Sequence, residues 1–480
     1  MRQTHLFPHA ALLMLSWGAF MFGAEFSWAY APLLVLALTV AALGFLAAQA
    51  KKRRPGVPRL LVASLGLVIF AVLLQLVPLP QRVVAAVSPA HDNANYAQLF
   101  AQTAMHEPPP VNPASLPGPR PISIEPSRTW LGLAFLCTFA LLLLGTARGL
   151  QGVGPLGLVR GIVIIGAVAA FAELIQKASG SSVVYGLWTP RQLGYSSAPF
   201  VNRNHTAGWL VMVMALAMGH LAAGLARGMR DVEPGWRNRV AWLSSSESSE
   251  TLLTAFAVVA MGIAIVFTES RSGSLSLILA MALMGAWLLQ RQSSRSRKSV
   301  ALAYLGLVVG AAVVMGGADA VERRFSAASW ENLDGRLDVW RDTLRIIDDF
   351  ELTGTGLNTY GIAMLHYQTV KDGLHYIEAH NDYLQVVAEG GVMLGVPVLL
   401  LVAAIVVEVR RRFVERMDDT RTYWVRVGAV VAVIAIAFQS VFDFTLQMPG
   451  AAAMFVMLLA IAVHRPGPRF VRAQHAAASD

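Results

Sequence analysis

The chain has 480 residues, 55% hydrophobic and 14% charged, whereas an ordinary soluble domain carries about 25% charged residues, so a water-soluble globule is excluded. The formal net charge of +9 is scattered between apolar stretches, which reads as an orientation signal and a contact with anionic lipid, not as a nucleic-acid footprint. A single cysteine, Cys137, rules out an internal disulfide.

Stretches of about 20 apolar residues, enough to cross a bilayer, recur along the chain. We count twelve, near 10–27, 29–48, 60–78, 129–147, 156–176, 205–226, 252–268, 274–290, 300–317, 383–407, 425–443 and 447–464. The expected fold class is therefore all-α: a polytopic membrane protein of about twelve transmembrane helices. No small-residue cleavage site follows the first stretch, so it reads as a retained span. Cys137 lies inside the fourth and reads as packing.

Lys and Arg counted loop by loop give the orientation. With a cytoplasmic N-terminus, the inner stretches hold 25 basic residues and the outer ones 13, while the acidic residues divide 9 inside and 20 outside. Both termini are expected in the cytoplasm.

Two outer stretches are too long to be mere connectors. Residues 79–128 contain HEPPPVNPASLPGPRP, whose prolines disfavour a regular helix and suggest a cover or spacer. Residues 318–382 form a large outer loop in which Leu337, Trp340, Leu344 and Ile347 recur at helical spacing among polar residues. This predicts an amphipathic helix outside the bilayer. The GTGLNTYG that follows supplies turn glycines. It lacks the Gly-Lys-Ser/Thr and the preceding strand of a phosphate-binding loop. No repeat of 20–50 residues is evident, nor the inverted repeat of a transporter.

The unusual polar residues collect on the outer side. FVNRNHTAGWL brings Arg203 and His205 to the start of the sixth span, and TESRSGS brings Arg271 to a short connection between two spans. There Ser270 or Ser272 can cap the next helix and Gly273 permits close approach, making an anion site of helix amides and guanidinium. DGRLDVWRD places Arg336 and Arg341 on the amphipathic helix.

YIEAHNDYLQVVAEGGVMLG places His380 just before the tenth span, where Asn381 or Asp382 can cap the first turn and Gln385 can reach back. Gly391 and Gly395 read as a small-xxx-small pair admitting a neighbouring helix. A neutral imidazole held at that height suits a general base. His375 and His380 lack the spacing of a helical metal pair, and no HExxH, Asp-x-Asp, nucleophile elbow or reactive cysteine is present. No metal or other cofactor is expected.

In their order and shared sidedness, FVNRNHTAGWL, TESRSG, DGRLDVW, GTGLNTYG and HNDYLQVVAEGG resemble the O-antigen ligase and polymerase family of bacterial membrane glycosyltransferases, over roughly residues 195–400. The VPLP near residue 77 and the long outer stretch after it look like the exopolysaccharide polymerases of that family. One departure is local: the family usually has two residues and then a glycine after Glu-x-Gly, whereas here Leu394 stands there and Gly395 follows one place later.

The resemblance implies a donor glycan on undecaprenyl diphosphate at the outer face of the bacterial inner membrane. The acceptor is lipid A-core in ligases and another lipid-linked glycan in polymerases. It implies that His380 is the essential outer histidine and that Arg203, Arg271 and Arg336 are the family's arginines. His380 and Arg271 are then the catalytic candidates, with Arg203, His205, Arg336, Arg341 and Asn381 binding diphosphate or glycan.

A good leaving group whose charge is met by arginines needs no metal. Single displacement with inversion is expected, although Glu378, Asp382 and Glu389 lie close in sequence. The expected organisation is an N-terminal helical region over 1–194, a catalytic region over 195–407 including the loop 318–382, and C-terminal helices with a basic tail over 408–480. A secondary transporter or lipid flippase is the alternative, with Glu25, Glu173 and Asp443 as coupling residues. Their positions near the outer ends of spans speak against a midplane transport site.

Overall fold

A computed structural model describes residues 2–49, 58–92, 118–189, 196–230, 232–233, 235–291, 306, 331–369, 375–415 and 419–465. With no water in the bilayer core to satisfy backbone polar groups, spanning segments of this composition fold as helices. In chain order they are α1 (Arg2–Phe20), α2 (Ser27–Gln49), α3 (Arg59–Leu76), the short α4 (Gln81–Val87), α5 (Pro126–Val153), α6 (Leu156–Ser179), α7 (Arg203–Gly228), the short α8 (Trp236–Leu243), α9 (Ser249–Phe267) and α10 (Arg271–Arg291). There follow α11 (Glu331–Asp349), α12 (Tyr360–Tyr367), α13 (Asp382–Glu415), α14 (Thr420–Gln439) and α15 (Pro449–Val463).

Among the described residues nine helices are long and apolar enough to cross a membrane, and two shorter apolar ones, Leu6–Phe20 and Pro449–Val463, accompany them. The protein is an all-α, multi-pass membrane protein. The span expected at 300–317 lies outside the described residues apart from Gly306, as does most of the proline-rich stretch. The described part of that stretch holds α4 and a pairing of Leu79 with Arg120. The first span ends earlier than the apolar run suggests: Phe22, Gly23 and Ala24 all take positive φ and turn the chain into α2. Among the described residues the only paired strands are two residues each, Ser196–Ser197 against Val201–Asn202.

Local chemistry fixes the helix ends. Pro126 and Pro449 stand at the first turns of α5 and α15, where the missing N–H is not needed. Asn202 caps α7 by accepting from the Asn204 N–H at 2.9 Å, and Asp419 caps α14 by accepting from Thr422 at 2.7 Å.

The helix α7 is the axis of the bundle. Every residue from His205 to Ala223 is buried, and α6, α9, α10, α14 and α15 pack around it. Its closest partner is α14, where a Cβ on Gly219 would stand 2.7 Å from the Gly428 α-carbon. By contrast α13 turns Leu399, Leu400, Val402, Val406 and Val407 outward, as a helix facing lipid does. Cys137, on α5, is half-buried against the cluster of Val68, Val72, Leu133 and Leu394, a packing role.

Candidate functional site

Five chain segments meet at one end of the bundle: the first turn of α7, the start of α10, α11, the entry to α13, and the connection 440–448 between α14 and α15. The Ser440 carbonyl accepts from the Asp382 N–H at 2.9 Å, and Gln447 donates to Asp382 at 3.1 Å, so the entry of α13 is tied to that connection. Gln439, at the end of α14, donates to the Asn204 carbonyl at 3.0 Å and ties it to α7 as well.

Phe444 stands at the centre. The His380 ring meets it edge-on at 4.7 Å between centroids, and the His205 ring meets it the same way at 4.6 Å. The neighbouring Asp443 is fully buried, with Oδ1 3.5 Å from His205 Nδ1 and Oδ2 4.0 Å from an Arg336 nitrogen. Arg336 is half-buried. Its helix is held against the His380 loop by Trp340, one turn further on, whose Nε1 donates to the Ala379 carbonyl at 3.0 Å.

His380 itself adopts φ +52°, in the left-handed region that non-glycine residues enter only under constraint. Its Nδ1 is buried without a hydrogen-bond partner among the described residues, a state that marks functional sites more often than packing. Burial pushes the His380 imidazole down to about 4, against the upward pull of Asp443 and with Arg336 and His205 adding to the depression. The ring is therefore neutral at physiological pH. Burial likewise raises the Asp443 carboxyl above the usual range, opposed by Arg336 and His380.

The two other arginines sit at the neighbouring helix starts. Arg203 opens α7 and lies 4.0 Å from Glu269 in the α9–α10 connection. Arg271 opens α10 and is half-buried. Ser270 caps α10 by accepting from the Gly273 N–H at 3.1 Å, as its sequence suggested. Gly273 is seated on α7: a Cβ there would stand 2.4 Å from that of Ala207.

Two further sequence-predicted residues make structural contacts. Arg341 pairs with Asp338 at 2.5 Å, with 71% of its side chain exposed. At about 100° per residue it stands about 140° around the helix from Arg336, a separation readable from the numbering. Asn381 caps α13, its Oδ1 accepting from the Tyr383 and Leu384 N–H groups at 3.0 Å each, so it positions the site. Gln385 does reach back, accepting from the Ala379 N–H at 3.0 Å and donating to Glu378.

The glycine pair is the clear correction. Gly391 does not admit a neighbouring helix through a small-xxx-small face; it breaks α13, with φ +54° and ψ −156°. The turn after α11 docks on the break, Val392 and Met393 donating to the Glu351 and Leu352 carbonyls at 2.8 and 2.9 Å. A Cβ on Gly395 would meet nothing within 4 Å. Beside the break, the buried Glu389 carboxylate accepts from the Asn358 and Tyr360 N–H groups at 2.7 and 3.1 Å. Gln75 of α3 donates to the Thr353 and Glu389 carbonyls and accepts from the Leu357 N–H. GTGLNTYG is thus an anchored strap that fixes α11 over the site.

Sequence reasoning missed Phe444, which carries no polar signal, and weighed Asp443 only as a coupling acid of a transporter. Glu173, weighed with it, accepts from Ser197 Oγ at 2.8 Å and the Ala198 N–H at 2.9 Å and pins the ribbon leading to Arg203. Among the described residues no three His, Cys, Asp or Glu side chains gather as a metal-holding group.

The family model described as O-Antigen ligase matches residues 256–399. That stretch resembles an O-antigen ligase domain. Over those residues the chain is similar to the O-antigen ligase family. The matched stretch contains Arg271, Arg336 and His380, while Arg203, His205, Asp443 and Phe444 reach the same place from outside the match. No curated protein matches the chain significantly.

Proposed function

We propose that the chain transfers a glycan from undecaprenyl diphosphate to an acceptor glycan at the periplasmic face of the inner membrane, as an O-antigen ligase or as an O-antigen or exopolysaccharide polymerase. The observation that carries this is the convergence of His380 and His205 on Phe444, and of His205 and Arg336 on the adjacent Asp443, at the end of the bundle where Arg203 and Arg271 also begin their helices. Residues 195–407 form the catalytic region, with Asp443 and Phe444 added from the C-terminal helices.

In this reading the acceptor hydroxyl gives its proton to His380 as its oxygen attacks the donor's anomeric carbon. The bond from that carbon to the diphosphate oxygen breaks, and undecaprenyl diphosphate leaves with the electron pair. Arg271, Arg203 and Arg336 meet the leaving charge as fixed guanidinium groups in a partly dry site. The configuration inverts, since one displacement takes place. A neutral imidazole depressed by burial is a weak base in the empty protein. An anionic diphosphate beside it favours its protonated form, so donor binding raises its basicity when it is needed.

Deletion of the protein separates the two acceptors. Accumulated single lipid-linked repeats identify a polymerase, and long lipid-linked chains absent from lipid A-core identify a ligase. A deletion strain with neither species contradicts the proposal.

A further inference from the structure

We propose that Gln385 is a positioning residue for this reaction, its carboxamide clamping the segment 378–380 so that the His380 ring faces the acceptor; the inference rests on His380 acting as the base. Gln385 is buried at 3% exposure and binds the loop that carries His380 at two points: its Oε1 accepts from the Ala379 N–H at 3.0 Å, and its Nε2 donates to Glu378 Oε2. One turn further along α13, the Glu389 carboxylate holds the 358–360 strap. From the other side Trp340 donates to the Ala379 carbonyl. The peptide groups flanking Ala379 are therefore held by α13 and by α11, and the next residue is His380 at φ +52°.

Helix initiation does not need this clamp, because Asn381 already caps α13 through two backbone N–H groups. A buried carboxamide bonded at both ends, to a backbone N–H and to the half-buried Glu378 carboxyl, is a demanding arrangement for packing alone, since each polar atom must find its partner. Burial, with Glu389, Asp382 and Glu25 adding to it against the Gln385 bond, raises the Glu378 carboxyl to about 8. Glu378 thus serves mainly as a neutral hydrogen-bonding acid at physiological pH, and its amide isostere can take its place.

The test uses the full chain in lipid vesicles with a lipid-linked glycan donor. Gln385→Ala is expected to lower kcat by about 10²-fold through misplacement of the base, with donor KM within about twofold. A loosened loop also admits water to His380, whose low value in the free protein comes from burial, so the acid limb of the kcat/KM profile moves up toward ordinary histidine pH. Asp443, Arg336 and His205, the charged and titratable groups facing that ring from the 440–448 connection, α11 and α7, are unchanged in the variant.

Gln385→Met, of similar volume and without the hydrogen bonds, gives the same readout if alanine does not fold. Glu378→Gln is expected to recover most of the activity that Glu378→Ala loses. An unchanged kcat in folded Gln385 variants overturns the inference, as does a loss of kcat with an unmoved acid limb, which marks a purely structural role. His380→Ala in the same assay separates the two claims. If it is fully active the proposed function falls, whereas an inactive His380→Ala beside unaffected Gln385 variants removes only the clamp.

Discussion

At the scale of single residues the proposed function divides the site into a proton acceptor and charge stabilisers, and the division has separable consequences. His380→Ala is expected to lose roughly 10² to 10⁴ in turnover while donor affinity is nearly kept, because a general base contributes mainly in the transition state. Arg271→Ala is expected to lose both, since a guanidinium that meets the ground-state diphosphate also meets its developing charge. Arg271→Lys recovers only part, because an ammonium cannot reproduce the planar two-point contact. Donor affinity and turnover measured for folded variants check all three, and full turnover in His380→Ala contradicts the assignment.

The sequence allowed the histidine and the arginines to be picked out because charged residues at the rim of apolar spans stand out. Phe444 was illegible for the opposite reason: an aromatic residue between two apolar spans looks like any other, and only the fold brings it between two imidazoles.

At the scale of elements, α13 is two helices joined at Gly391, and the strap 350–360 docks on the joint. Periodicity could not reveal this, because apolar residues continue on both sides of Glu389-Gly390-Gly391 and the break lies in one backbone torsion. The φ and ψ of Gly391 belong to a region open essentially to glycine, where another residue is strained by about 1–3 kcal/mol. A Cβ there also stands 2.6 Å from the backbone of Glu351, Leu352 and Gly354.

Gly391→Ala is therefore expected to lower the melting temperature and to weaken turnover through displacement of the strap and α11. Gly395→Ala has open space in a regular stretch of helix and should be neutral or stabilising by up to about 1 kcal/mol. Thermal unfolding of the two variants decides the point. Equal melting temperatures contradict the broken-helix account.

At the scale of the whole molecule, hydropathy made the bundle legible: eleven of the twelve expected spans coincide with described apolar helices, within a few residues at most ends and with α13 extended by its joint and basic tail. What hydropathy cannot supply is the order in which helices pack, since side chains facing lipid and side chains facing α7 are equally apolar. We propose, from the asymmetry of 25 inner to 13 outer basic residues, that the bundle is oriented with His380 toward the periplasm. Cysteines placed at Leu187, 85% exposed, and at Trp236, 71% exposed, lie at the two ends of α7. Impermeant label is expected to reach the first in intact cells and the second only after the membrane is opened, and the reverse pattern contradicts the orientation.

The central claim is group transfer from a lipid diphosphate. Its most direct test is the purified chain in vesicles with a lipid-linked glycan donor and acceptor, in excess chelator, following released undecaprenyl diphosphate and extended acceptor together. The account predicts equal amounts of both, without added metal, and neither in His380→Ala. Donor carried intact across the vesicle membrane with no new glycosidic bond, or transfer that appears only when Mg²⁺ or Mn²⁺ is restored, contradicts it.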